Sequence, residues 1–197
     1  MKTEYFNQKR VPLTLHVLAD LDTPLSAYVK LAMGKNSFLL ESIEGGEKWG
    51  RYSIIGLPAR RTIEVRGQKV LIRENGQIIE SLTLEDPMGF IQSYHNSFSA
   101  SSTEGLPRFC GGLVGYFGYD TMRFAEPQFA TSAPPDPLEV PDIYLLQVDE
   151  FLIFDNLRGE ITLVKYVASD DRAAQTVARR YLEELSQRLK APLPEFS

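Results

Sequence analysis

The sequence predicts an α+β fold, with a largely antiparallel sheet and a few peripheral helices. Short apolar runs with strand character recur along the chain and are separated by polar, glycine-containing turns. Asn75-Gly76 lies between two such runs and predicts a hairpin, because both turn residues need a positive φ. The last predicted element is an amphipathic helix, and the few helices and many strands together favour α+β.

Two short helices are predicted from their start signals. Thr23 is the expected N-cap of the first, with Pro24 at the first helical position and Gly34 as the C-cap. Asp86-Pro87 repeats this start for the second helix. The second helix is expected to pack through an apolar stripe of Met88, Ile91 and Tyr94.

A longer helix is predicted near residue 180. Asp170 and Asp171 place negative charge at its N-terminus, where the helix dipole favours it, and Pro192 stops it. Its apolar stripe is expected to consist of Ala174, Val177, Tyr181, Leu185 and Leu189.

The strands are predicted from apolar runs and from alternation. A buried strand is expected at residues 38–40, ending in Glu41-Ser42, with a return strand at 52–55. The glycine-rich strand at 111–116 is expected to let another chain segment pack closely against it. Residues 143–149 and 151–154 form either two strands or one long bulged strand. Further strands are expected at 62–65, 70–72, 78–79 and 161–167.

Composition excludes several functional classes. The 197 residues are long enough for one well-buried domain, which we expect to span residues 1–197. A net charge of −5, with scattered basic residues, argues against nucleic acid as a partner. No apolar run is long enough to span a membrane, and residues 1–10 lack the apolar core of a signal peptide. With a single cysteine, these features predict a cytoplasmic protein without a membrane partner.

The sequence lacks recognisable catalytic or metal-binding machinery. It has no Gly-x-Ser-x-Gly elbow, no His-Glu-x-x-His and no phosphate-binding glycine loop. His16 and His95 are too far apart in the sequence to suggest a zinc or haem site, and Cys110 is expected to be an inert packing residue. We therefore expect no catalytic residue, no metal ligand and no cofactor of this domain.

Two neighbouring predicted strands carry an unusual set of polar residues. The first ends in Glu41 and Ser42, and its return strand carries Arg51, Tyr52 and Ser53. An amino-acid zwitterion needs an acceptor for its ammonium, donors for its carboxylate and an apolar wall for its side chain. The alternative is structural: Glu41 pairs with Arg51, and Ser42 ends a strand.

Three motifs resemble one protein family. They are FLLES at residues 38–42, GRYSIIG at 50–56 and GGLVGYFGYDTMR at 111–123. In this order they resemble the N-terminal region of anthranilate synthase component I, one of the chorismate-utilising enzymes. Aminodeoxychorismate synthase component I shares a similar glycine-rich segment, but the LLES and GRYS segments favour anthranilate synthase.

The resemblance implies a role in a larger enzyme. In that family the full component converts chorismate to anthranilate and pyruvate with magnesium and ammonia, a glutaminase subunit (component II) supplies the ammonia, and tryptophan inhibits allosterically. The chorismate- and magnesium-binding residues lie in a C-terminal catalytic domain, and we expect this chain to be a piece that ends before it. No catalytic residue is therefore carried over, and this chain alone is expected to be inactive.

What the resemblance carries over is part of the feedback site. Tryptophan is expected at Ser42, with Leu40 and Glu41 beside it and Tyr52 and Ser53 on the return strand. Tyr52 stands where some family members have lysine, so Arg51 is the expected substitute for the contact to the ligand's carboxylate.

The remaining expectations concern partners and alternatives. Besides tryptophan, the resemblance implies the glutaminase subunit and the protein's own catalytic domain as partners, and an exposed apolar face predicts a homo-oligomer. Two alternatives stay open: the corresponding domain of the p-aminobenzoate-forming enzyme, and a structural domain that has lost ligand binding.

Overall fold

The structure, a computed structural model, describes residues 9–43, 49–98, 105–126 and 139–194. Its strands are β1 (Arg10–Leu18), β2 (Phe38–Ile43), β3 (Trp49–Gly56), β4 (Arg61–Arg66), β5 (Lys69–Glu74), β6 (Gln77–Thr83), β7 (Gly112–Phe117), β8 (Ile143–Val148), β9 (Glu150–Asp155) and β10 (Glu160–Ala168). Its α-helices are α1 (Pro24–Leu31), α2 (Pro87–Ser97), α3 (Met122–Ala125) and α4 (Arg172–Leu189). Among the helices in these ranges, none is long and apolar enough to cross a membrane.

The strands form two five-stranded sheets, which confirms the predicted α+β class. The first sheet has the order β1-β10-β9-β3-β2 and lies with α1 and α4 in one compact unit of the chain. Its longest ladder is antiparallel and runs from Arg10 opposite Ala168 to Leu18 opposite Glu160. Buried residues of α1, α4 and this sheet form one apolar core, which includes Ala27, Leu31, Ile55, Leu152, Leu163 and Leu182.

The second sheet has the order β6-β5-β4-β8-β7 and lies with α2 in a separate compact unit. The predicted turn at Asn75-Gly76 joins β5 to β6, with φ of 50° and 81°. Ile91 and Tyr94 of α2 are buried against this sheet as predicted, whereas Met88 is exposed. The core of this unit consists of Ile63, Val65, Val70, Ile72, Ile91, Tyr94, Phe98, Ile143 and Leu145.

The helix starts are formed by the predicted caps. Thr23 accepts a hydrogen bond of 3.1 Å from the N–H of Ser26, whose hydroxyl accepts one of 2.9 Å from the N–H of Thr23. The predicted C-cap at Gly34 is wrong, because the helix closes earlier. The N–H groups of Ala32 and Met33 both donate to the carbonyl of Tyr28, so no left-handed residue is needed there.

The buried face predicted for α4 is partly wrong, because the N-terminal part of the observed buried stripe is shifted by one residue. Val177 is 66% exposed, whereas Leu185 and Leu189 are buried as predicted, together with Ala178 and Leu182. Spacings of three and four fit both stripes, which share Leu185 and Leu189. The small side chain of Ala178, which is fully buried, allows this side of the helix to lie close to the sheet.

Two further strand predictions concern the close packing of the glycine-rich strand and the number of strands in residues 143–155. In β7, a β-carbon built on Gly115 would lie 1.9 Å from the carbonyl oxygen of Tyr144, so the predicted close approach is confirmed. Residues 143–155 are two strands, not one, because β8 belongs to the second sheet and β9 to the first. At the crossover between them, Asp149 forms an ion pair with Arg10.

Candidate functional site

The two strands predicted to hold the site are paired side by side. β2 and β3 are antiparallel, with Leu40 opposite Ile54 and Glu41 opposite Ser53. β3 also pairs with β9, whereas β2 is the outer strand of the sheet. The prediction of a buried strand at 38–40 is therefore wrong: Leu40 is 45% exposed, since an edge strand is covered by neighbours on one side only.

The predicted site residues divide between the two faces of the sheet. Glu41 and Ser53 are direct partners and share a face with Leu39 and Ile55, which pack in the core that includes α1 and α4. Because successive side chains of a strand alternate, Leu40 lies on the opposite face from this pair. The structure thus brings Glu41 beside Ser53 and separates both from Leu40.

Ser42 lies where the pairing of β2 and β3 becomes irregular. The last regular pair is Glu41 with Ser53, and the next is Ile43 with Trp49. Between these pairs β2 contributes one residue, Ser42, and β3 contributes three, Gly50 to Tyr52. Extra residues of this kind bend a strand and leave its backbone groups without ladder partners. The structure describes the backbone of Ser42 in β2 and not its side chain.

Arg51 is bound to Asp155 of β9. Its Nε donates to Oδ1 and Oδ2 at 3.2 and 3.1 Å, and its Nη2 donates to Oδ2 at 2.7 Å. These hydrogen bonds raise the pKa of Arg51 and lower the pKa of Asp155. The structural alternative in which Glu41 pairs with Arg51 is therefore wrong. The sequence did not reveal the true partner because it is 104 residues away.

Arg51 also contacts the aromatic ring of Tyr52, the next residue on the strand. The guanidinium carbon lies 4.8 Å from the centroid of the Tyr52 ring, which is within the range of a cation–π contact. Tyr52 is half-buried, and Arg51 keeps 43% of its side chain exposed. A cation and an aromatic ring are thus held together next to the irregular pairing.

Asn156 is a residue of this region that sequence reasoning missed. Its Nδ2 donates to the carbonyl of Gly50 at 3.1 Å and to Oγ of Ser53 at 3.3 Å. Its backbone N–H donates to the carbonyl of Arg51 at 2.8 Å. Ser53 is only 3% exposed, so its hydroxyl is committed to this interior contact. The sequence indicates a turn at residues 155–159, but it does not indicate which strand the turn contacts.

The region offers charged and apolar groups of the kinds that a small zwitterion requires. Glu41 is an exposed acceptor, Arg51 a donor and Leu40 an exposed apolar side chain, all near the irregularity. Within the described ranges, no group of three or more histidine, cysteine, aspartate or glutamate residues could hold a metal ion.

The remaining residues considered at the sequence level lie elsewhere. His16 is on β1, and its Nδ1 lies 3.1 Å from the hydroxyl of Thr162 on β10, so its ring has a hydrogen-bond partner. His95 is exposed on α2. A cavity of about 480 Å³ lies at the ends of α1 and α4 and contains none of the predicted site residues. It is lined by Val17, Leu18, Asp20, Leu21, Asp22, Lys30, Ser186, Leu189 and Lys190.

Comparison with known proteins finds relatives named anthranilate synthase component 1. No family model matches the chain. Anthranilate synthase component 1 of Pseudomonas putida is 47% identical over 184 residues, which are 93% of this chain and 37% of that protein. The protein of the same name from Neisseria meningitidis serogroup B is 43% identical over 185 residues, again 37% of its length. The chain thus spans little more than a third of the curated relatives it matches.

A solved structure supports the fold. The crystal structure of anthranilate synthase component I from Streptococcus pneumoniae TIGR4 superimposes with a TM-score of 0.58 at 24% identity. The match covers 90% of this chain and 37% of that one. The solved structure therefore shows a related fold over most of this chain.

Proposed function

Because this chain is homologous, over 93% of its length, to a segment that makes up 37% of anthranilate synthase component 1, we propose that it is the N-terminal regulatory domain of such a protein. In this proposal it carries part of a feedback site for tryptophan. The site lies at the edge strand β2 and uses Leu40, Glu41 and Ser42, with Arg51, Tyr52 and Ser53 on β3.

The observation that carries the proposal is the placement of the two motifs. FLLES and GRYSIIG occupy adjacent antiparallel strands, and Glu41 of the first is opposite Ser53 of the second. Leu40 and Glu41 follow one another along the exposed edge of the sheet. A ligand lying across this edge would meet Leu40 on one face of the sheet, the carboxylate of Glu41 on the other face, and the backbone of Ser42 at the edge itself.

Each part of tryptophan has a chemical counterpart here. The ammonium group requires an acceptor, which the carboxylate of Glu41 supplies. The ligand's carboxylate requires donors, and Arg51 presents a guanidinium whose Nη1 takes no part in the bonds to Asp155. The indole requires an apolar wall, to which Leu40 and Tyr52 contribute. We propose that the catalytic domain supplies the rest of the pocket.

The activity of the whole protein is part of the same proposal. We propose that the whole protein is a cytoplasmic lyase that converts chorismate to anthranilate and pyruvate with magnesium, using ammonia from a glutaminase subunit. The residues for that reaction belong to the catalytic domain, so this chain supplies regulation and not chemistry. Binding of tryptophan to this chain would then favour a conformation of the whole protein that turns over chorismate poorly.

Thermal denaturation tests the proposal. A ligand that binds only the native state raises its stability, so L-tryptophan in the millimolar range should raise the Tm of the chain in a concentration-dependent way. D-tryptophan and L-phenylalanine, which lack either the correct stereochemistry or the indole, should raise it less. An unchanged Tm with all three would favour the alternative of a structural domain without ligand binding.

A further inference from the structure

The turn between β9 and β10, residues 155–159, contacts β3 at the point where β3 loses its regular partner. The β3–β9 ladder ends with Tyr52 opposite Asp155. Beyond it, Gly50 and Arg51 lie in the irregular part of the β2–β3 pairing. Backbone groups in such a segment must find other partners if the segment is to keep one conformation.

Asn156 supplies those partners. It donates from its backbone N–H to the carbonyl of Arg51 and from Nδ2 to the carbonyl of Gly50, so two consecutive carbonyls of β3 are held by one residue. The same Nδ2 reaches the buried hydroxyl of Ser53. The contacts with the carbonyls of Gly50 and Arg51 extend the β3–β9 association past its last ladder pair.

Asp155 fixes the turn and a side chain of β3 at the same time. Its Oδ1 accepts hydrogen bonds from the N–H groups of Leu157 and Arg158 at 3.1 and 3.2 Å. Both of its carboxylate oxygens hold Arg51, whose guanidinium lies against the ring of Tyr52. The side chain of Asp155 is 13% exposed, which limits the competition of water for these bonds.

We propose that Asp155 and Asn156 are positioning residues of the tryptophan site, acting through Arg51, Tyr52 and Ser53 without touching the ligand. This inference rests on the proposed function. The turn sets the conformation of β3 opposite Ser42, and tryptophan affinity depends on that conformation. An affinity that depends on positioning is lost when the turn no longer holds the strand, even if the residues that face the ligand are intact.

Asn156→Asp tests the inference most sharply. The variant keeps the size of the side chain and the backbone hydrogen bond but replaces the Nδ2 donor with an acceptor. We expect the Kd for L-tryptophan, measured by isothermal titration calorimetry on the chain, to rise about five- to tenfold. In the complete component that contains this segment, kcat and KM for chorismate without tryptophan should not change.

Two control variants separate positioning from stability. Leu157→Ala shortens a side chain of the same turn that is 77% exposed, keeps the backbone N–H that donates to Asp155, and should leave the Kd unchanged. Val167→Ala shortens a buried side chain at the other end of β10, so it should lower the Tm without changing the Kd. All titrations are made at a temperature at which circular dichroism shows every variant to be folded.

The outcomes distinguish the inference from the proposed function. If the unmodified chain binds tryptophan and Asn156→Asp binds it equally well, the positioning role is contradicted and the proposed function stands. If Val167→Ala weakens binding as much as Asn156→Asp, the turn acts only through stability and the inference is overturned. If neither the unmodified chain nor the complete component binds tryptophan, both fail.

Discussion

Arg51 and Asp155 are joined by three hydrogen bonds of 2.7 to 3.2 Å, although 104 residues separate them in the sequence. The pair links the middle of the first sheet to the strand that bears the GRYS motif. The pair raises the pKa of Arg51 and lowers the pKa of Asp155, so each group is held more firmly in its charged form than in the unfolded chain.

The first prediction concerns stability in acid. The pKa of Asp155 is lower in the folded chain than in the unfolded chain, so its contribution is present above the unfolded pKa of about 3.9 and is lost as the pH falls through the folded value. Asp155→Asn should therefore be less stable than the unmodified chain at pH 7. The difference should shrink toward pH 3. Urea unfolding at several pH values measures it, and a difference independent of pH would contradict the account.

The second prediction concerns the packing of β7 on β8. A β-carbon at Gly115 would lie 1.9 Å from the carbonyl oxygen of Tyr144 and 2.9 Å from Cα of Leu145, both of which are backbone atoms that cannot move alone. Gly115→Ala should lower the free energy of unfolding by roughly 1–3 kcal/mol or more. Gly34→Ala is the matched control, because the nearest atom to its β-carbon would be 3.9 Å away. Equal urea midpoints for the two variants would show that β7 is not held against β8.

The third prediction is that the purified chain does not turn over chorismate. Among the described residues, no group of three or more histidine, cysteine, aspartate or glutamate side chains could hold a metal ion. With chorismate, magnesium and either ammonia or glutamine, anthranilate fluorescence should not rise above that of a heat-treated sample. A steady rise that scales with the concentration of the chain would contradict this expectation.

The fourth prediction concerns self-association. β7 is an outer strand of its sheet, and Tyr116, Phe117 and Tyr119 at its end are 42%, 50% and 84% exposed. Exposed strand edges and apolar patches favour pairing with another chain. Sedimentation velocity should show association that increases with concentration, and Phe117→Glu should reduce it. A single monomeric species at high concentration would contradict the prediction.

Local features of the fold could be predicted because local contacts determine them. The caps at Thr23 and Asp86 accept hydrogen bonds from N–H groups three residues ahead, and the turn at Asn75-Gly76 needs only the positive φ of two residues. Each of these signals lies within one short window of sequence. The structure confirms all three.

The site depends on contacts that no short window contains. The position of β2 at the edge follows from the order of five strands, which the sequence does not specify. Arg51 could be paired with Glu41 from spacing alone, because the partner from β9 is distant in the chain. The residues around Asn156 indicate only a turn, because the strand that Asn156 contacts is also distant in the chain. The predicted stripe of α4 failed differently, since two overlapping stripes fit its sequence and tertiary packing selected one.

The measurement that tests the central claim most directly compares tryptophan inhibition of the complete component with Ser42 intact and with Ser42→Ala. Ser42 is proposed to form a hydrogen bond with the ammonium or carboxylate group of bound tryptophan. Loss of such a bond costs roughly 1.5–3 kcal/mol, or about one to two orders of magnitude in affinity. We expect the inhibition curve at fixed chorismate to move to higher tryptophan by that factor, with an unchanged KM for chorismate in its absence. Superimposable curves would contradict the account and leave Ser42 as the end of a strand.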